Sequence, residues 1–266
     1  MAHDEHRTVD RVVDILELLA KNNEGISFSE IARLLSVPKS SLHPVLHTLC
    51  KRRLAHCKAK EQKYVLGDRM FSLGSNYVAD SSLLNKVDEL LSRLAEESGE
   101  TCHFGVLSGN EVLYLLKQSP ASPVHVAARS GYRLGAYCTA IGKALLSQFD
   151  KEELLALYPE GLEPITPNTV KDVDALCLQL EEVRKNGWGY EKEESSIHVQ
   201  CLSTPIVCQQ KTVAAVSVAF PVFQLHEETE KMQFIKKCLA NTRREIENVI
   251  SQNIADWIYG NGIKTE

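Results

Sequence analysis

Three groups of residues in this 266-residue chain have types and spacings that can do chemistry. The first is His198 with Cys201. A histidine beside a cysteine can make a thiolate nucleophile or a redox-sensing thiol. Residues three apart on a strand face opposite sides, so this pair needs a bulge to meet. Glu191, Glu193 and Glu194 lie nearby in sequence, where a reactive thiol needs positive neighbours. The second group is His43 and His47 with Cys50 three residues on. On a helix these share a face and could hold a metal, but Pro44 interrupts them and no carboxylate is near, so no metal is expected. The third group is basic. Between Arg33 and Lys63 stand eight Lys and Arg against one acid, Glu61. That is an electrostatic footprint for phosphates.

The bulk numbers frame these groups. Hydrophobic residues make up 44% and charged residues 24%, as in soluble globular proteins. The net charge of −5 is uneven: residues 1–69 carry 12 Lys and Arg against 9 acids, and the remainder is acidic. A basic head on an acidic body suits a DNA-binding module joined to something else. No apolar run reaches membrane-span length, and the start lacks a signal peptide's apolar core, so a cytoplasmic protein with no membrane partner is expected. In a reducing cytosol most of the eight cysteines should be buried thiols. No GxSxG, no GxGxxG after a strand and no P-loop occurs. No catalytic residues and no cofactor are expected. The competing class is a cytosolic small-acid enzyme or thiol redox sensor using Cys201.

The basic group sits on SFSEIARLLSVPKSSLHPVLHTLCKRRL, residues 27–54. Apolar residues recur at helical spacing in two segments, first Ile31, Leu34 and Leu35, then Leu42, Val45, Leu46 and Leu49. Ser27 and Glu30 have the spacing of a capping box, and Ser36-Val37-Pro38 separates the segments. Two helices joined this way suggest a helix-turn-helix, whose second helix enters the major groove. Its outer face carries Lys39, Ser40, Ser41, His43 and His47, with Arg52 and Arg53 at its close. Two strand-like runs around a polar turn follow as a wing with Lys58, Lys60 and Lys63. Helix 8–21, with Val9, Val12, Val13, Leu16 and Leu19 as its inner stripe, should pack beneath.

These elements give a winged helix-turn-helix domain over 1–66, a linker helix over 67–81, a second domain over 82–252 and a tail over 253–266. The second domain begins with helix 82–98, ended by Gly99. Strands are expected at 101–107, 111–117, 123–128, 188–192, 198–207 and 212–220, and helices at 138–149, 151–157, 172–186 and 227–252. The expected class is α+β, an antiparallel sheet with helices on one face and at its ends.

Within that domain Thr139 stands where a helix N-cap would be. The N–H groups of Ala140, Ile141 and Gly142 would lack helical partners, and such an end attracts anions. The small residues Ala140, Gly142 and Ala144 leave room for a ligand or for close packing on the sheet. Along strand 212–220, Val213, Ala215, Ser217 and Ala219 share the smaller, more polar face, the better border for a cavity. On the strand before, Cys201 and Ser203 share one parity.

The helix pair, YVLG at residues 64–67 and Leu73-Gly74 resemble the IclR family of bacterial transcription regulators. So do YCTAIGKA at 137–144, GWGYEKEE at 187–194 and CLSTPI at 201–206, in the family's order and spacing. The resemblance covers most of residues 8–250. It implies a GAF-like effector-binding second domain and a DNA-binding regulator, with repression the commoner behaviour. It also implies a homodimer, helix 8–21 taking part; the sequence leaves open whether dimers pair into a tetramer. Matched by position, the family's effector pocket falls on Ala140, Ile141, Glu191, Cys201, Ser217 and Ala219. Thr139 and Gly142 join them from the helix end. The partners expected are operator DNA and a small hydroxylated carboxylic acid. Three departures stand out. Pro44 replaces the usual Arg and should kink the recognition helix or shift its start. His198 replaces a Gly, and Ala219 replaces a second Ser.

Overall fold

The computed structural model describes residues 7–58, 60–79, 82–120, 131–224 and 230–253. The chain forms two compact units, Met1–Ser81 and Ser82–Glu266.

The first unit contains α1 (Arg7–Ala20), β1 (Ile26–Ser27), α2 (Phe28–Leu34), α3 (Lys39–Lys51), β2 (Ala55–Lys58), β3 (Lys63–Leu66) and α4 (Arg69–Ala79). It is a winged helix-turn-helix. Ser27 caps α2: its Oγ accepts from the Glu30 N–H while Glu30 accepts from the Ser27 N–H, the reciprocal box its spacing predicts. The core joins Ile15 and Leu19 of α1 to Ile31 of α2 and to Leu42, Leu46 and Leu49 of α3. Two stripes differ from expectation. Val9 and Val13 of α1 are exposed, because the buried line runs through Ile15 and Leu19. Leu34 is exposed where Ile31 and Ala32 turn inward. The wing strands pair antiparallel, and the short β1, not anticipated, adds a third strand in the order β1-β3-β2.

The second unit contains α5 (Ser82–Ser98), β4 (Thr101–Ser108), β5 (Glu111–Gln118), β6 (Arg133–Gly135), a 3-10 turn (Ala136–Cys138), α6 (Ala140–Leu146), α7 (Lys151–Leu157), α8 (Val173–Asn186), β7 (Gly189–Lys192), β8 (Val199–Cys208), β9 (Lys211–Pro221), a second 3-10 turn (Val222–Gln224) and α9 (Glu230–Gln252). Six strands form one antiparallel sheet in the order β6-β5-β4-β9-β8-β7. The strand expected at 123–128 and the tail from 254 onward lie outside the described residues, and β6 was not foreseen.

Helices cover both faces of this GAF-like sheet, not one face and its ends. The alternation along the strands explains why. Phe104, Val216, Val218 and Phe220 face α5 and α9 and form one core with Leu91, Leu94, Ile235 and Leu239. Ala215 faces the other way, into a second core with Ile141, Leu145, Leu176 and Leu180 of α6 and α8. A strand whose two parities are both apolar must be covered twice. Among the described residues no helix is long and apolar enough to cross a membrane.

Candidate functional site

The first unit presents its polar groups on one helix and a hairpin. Leu42, Leu46 and Leu49 hold α3 down, which leaves Lys39, Ser40, His43 and His47 exposed. His43 and His47, one turn apart, stack with ring centroids 6.5 Å apart. Ser41 is half-buried, and its Oγ donates to the Pro38 carbonyl at 2.9 Å, so it serves the helix start. α3 runs unbroken through Pro44. Proline there leaves the Ser40 carbonyl without its helical N–H partner. Among the described residues no three His, Cys, Asp or Glu side chains gather as a metal set.

At the end of α3, Arg52 and Arg53 are both exposed. Arg53 has a left-handed φ of 61° and ion-pairs with Asp68 before α4, so its charge is partly engaged. Gly67 passes so close to the Arg53 backbone that no side chain fits there. In the wing, Lys58 and Lys63 are Cα partners across the hairpin and Lys60 is exposed near its tip. Like charges placed opposite repel, and an anion between them relieves that cost. The surface matches a duplex backbone in charge, with polar groups on the exposed face of α3.

The second unit encloses a cavity of about 490 Å³. Two rows of residues run in register across four strands beneath it. One row is Glu191, Cys201, Ala219 and Thr101, each the Cα partner of the next, and all four border the cavity. The other is Gly189, Ser203, Ser217 and His103, of which Ser217 and His103 border the cavity while Gly189 and Ser203 lie against α6. Thr139, Ala140 and Ile141 close one side, and Tyr114 of β5 also lines the space. A helix therefore lies directly on the sheet, and Ser203 explains how. Its Oγ donates to the Ala140 carbonyl at 2.6 Å. A side chain at Gly189 would collide with that hydroxyl and with the Ala140 carbonyl.

The helix end differs from expectation in one respect. Thr139 Oγ1 accepts from the Gly142 N–H at 3.0 Å. Two amides, those of Ala140 and Ile141, remain without helical partners rather than three. Gly142 does not border the cavity; a Cβ there would overlap the Ala136 backbone, so its smallness serves the tight 3-10 approach. Ala144 likewise packs against β7 at Gly189.

Electrostatics separates the cavity residues. Glu191 is buried, and burial lifts its pKa to about 7. It accepts from the Glu194 N–H at 2.9 Å and from Ser195 Oγ at 3.3 Å. Cys201 is driven well above the ordinary thiol range, by burial first and then by Glu191. His198 also borders the cavity, from a left-handed φ of 67° just before β8. Burial beside Glu191 and the lack, among the described residues, of a lining Lys or Arg disfavour the thiolate, which counts against a nucleophilic or redox-sensing Cys201. Lys143 is buried and bonded to Glu194, and its Nζ donates to the Tyr190 carbonyl at 3.2 Å. That bond ties the segment after β7 to α6. Among the described residues no Lys or Arg lines the cavity.

Seven of the eight expected pocket residues border this space: Thr139, Ala140, Ile141, Glu191, Cys201, Ser217 and Ala219. Sequence reasoning missed Thr101, His103 and Tyr114. A signal existed in β4, where Thr101, His103 and Gly105 alternate with apolar Cys102, Phe104 and Val106.

A winged helix-turn-helix beside a GAF-like domain defines a helix-turn-helix transcriptional regulator. Residues 8–56 match the IclR helix-turn-helix domain. Residues 75–248 match the family described as bacterial transcriptional regulator IclR C-terminal. The chain belongs to the IclR family. The HTH-type transcriptional regulator BhcR of Paracoccus denitrificans (strain Pd 1222) is 32% identical over 223 residues, covering 83% of this chain and 80% of that protein. The HTH-type transcriptional repressor AllR of Escherichia coli (strain K12) is 29% identical over 224 residues, 84% of this chain and 83% of its own. An IclR transcriptional regulator from Alicyclobacillus acidocaldarius has the same fold, with a TM-score of 0.81 at 22% identity over 92% of this chain and 99% of that one.

Proposed function

We propose that this protein is a cytoplasmic repressor that binds operator DNA as a homodimer and changes its operator affinity when a small hydroxylated carboxylic acid occupies the second unit's cavity. Dimers that pair into a tetramer fit the same reading. The observation that carries it is the cavity itself, with a polar floor spread over four strands beside a helix start. The Ala140 and Ile141 amides suit a carboxylate. Glu191, half protonated near neutrality, repels that carboxylate less than an ionised group would and can also exchange hydrogen bonds with hydroxyls. Lys39, Ser40, His43 and His47 contact the major groove, Ser41 sets the helix start, and Arg52, Arg53, Lys58, Lys60 and Lys63 contact phosphates. Repression follows from the likeness to AllR, a transcriptional repressor. Exposed Val9 and Val13 on α1, and exposed Phe71 and Leu73 on α4, supply apolar surface for a second copy.

Calorimetry on the full chain tests the ligand class with glycolate, D-gluconate, pyruvate, benzoate and ethanolamine. Anisotropy of operator DNA is then measured with and without each compound. The hydroxy acids should bind one per chain and shift DNA affinity at least about fivefold, a typical allosteric coupling. Binding to the amine alone, or binding without any change in DNA affinity, rejects the proposal.

A further inference from the structure

His103 borders the cavity, is 3% exposed, and its Nε2 is buried with no hydrogen-bond partner. Buried polar atoms are nearly always paired, so an orphan beside a cavity asks what completes it. Its ring meets Tyr114 edge-on at 5.3 Å, a contact that fixes the ring and leaves the nitrogen free. Its Cα partner across β9 is Ser217, which borders the same cavity. Opposite residues on one face of an antiparallel pair lie within reach of a single ligand group.

We propose that His103, paired with Ser217, is the residue that reads a hydroxyl group on the ligand, so that ligands lacking that hydroxyl are discriminated against. This rests on the cavity being the effector site. Burial, and then Lys117, hold the imidazole pKa down at about 3, so it is neutral at working pH. A neutral imidazole has one donor and one acceptor nitrogen. A hydroxyl can serve whichever of these Nε2 is, whereas a carboxylate only accepts and an ammonium only donates. A site built to bond a hydroxyl rejects the analogue without it more strongly than an apolar pocket does, because its own polar group is then stranded.

The test uses the full chain and probes that differ by one hydroxyl: glycolate against acetate, and 3-hydroxybutyrate against butyrate. The wild type should prefer the hydroxylated member at least about tenfold. His103→Phe should abolish that preference by weakening the hydroxylated probe alone, and His103→Gln should keep part of it. Without ligand, His103→Phe should melt about 2–4 °C higher, since it removes an unpaired buried nitrogen. An unchanged preference in His103→Phe overturns the assignment and leaves the effector site standing. A lower melting temperature for that variant marks a structural imidazole and overturns it too. If no probe binds the wild type, the ligand class proposed for the cavity falls, and this inference with it.

Discussion

On α3 the polar groups stand outside one helix, from Lys39 to His47, within nine residues of chain. The cavity of the second unit instead gathers its polar groups from five strands and a helix start spread over residues 100–217. In the helix, each exposed group is positioned by residues three or four away, chiefly Leu42 and Leu46. In the cavity, Glu191 and Thr101 border one space only because two intervening strands hold register between them. A helical surface can therefore change one residue at a time, whereas a sheet-built cavity depends on alignments that many residues share.

The sharpest way to break this contrast is at Gly142. A methyl group there overlaps the Ala136 backbone, so α6 and the 3-10 turn that leads into it must move apart. Gly142→Ala should cost more than about 3 kcal/mol, an overpacking penalty against unyielding backbone. Denaturant unfolding measures it. A loss below about 1 kcal/mol would show that the helix docking is not tight.

A smaller effect, with a pH signature, belongs to Glu191. Below pH 4.5, its ordinary value, folded and unfolded states both hold the proton and burial costs nothing. As pH rises from 4.5 to about 7 the unfolded state ionises first, so native stability falls, and above 7 the penalty is constant. Glu191→Gln escapes this. Its stability gain over the wild type should grow by about 2–3 kcal/mol between pH 5 and 8. A pH-independent difference would place the ionisation elsewhere.

The smallest effect is on the helix. Lys39→Ala should weaken specific and non-specific DNA alike by about 1 kcal/mol, with the slope of log K against log salt falling by about 0.9. The fold should stay intact, since Lys39 is exposed. An unchanged slope removes Lys39 from the phosphate contacts and weakens the picture of α3 as independent, additive positions.

Both sets of elements were largely readable beforehand, for different reasons. The Ser27–Glu30 box, the Leu42–Leu46–Leu49 stripe and the wing each depend on neighbours in the chain, which is why local pattern found them. The pocket positions on β7, β8 and β9 came from resemblance and parity together. Gly142 belongs to the expected site for its helix-end N–H and its small size; the N–H is taken by Thr139, and size does not distinguish room for a ligand from contact with a backbone. Val9 and Val13 were placed inside because an apolar residue at helical spacing looks the same whether its own unit or something else covers it.

The sequence by itself determined most of the longer elements, the Ser27 and Thr139 caps and the parity of β9, because backbone propensity and side-chain period act over a few residues. It also determined the basic head and acidic body, since charge is a sum. Only the tertiary structure decided that β4 and β5 add Thr101, His103 and Tyr114 to the cavity, that Thr139 uses its own hydroxyl on Gly142, and that His103 is left with an unpaired nitrogen. Those outcomes depend on register between strands up to about a hundred residues apart, where a shift of one residue turns every side chain to the other face.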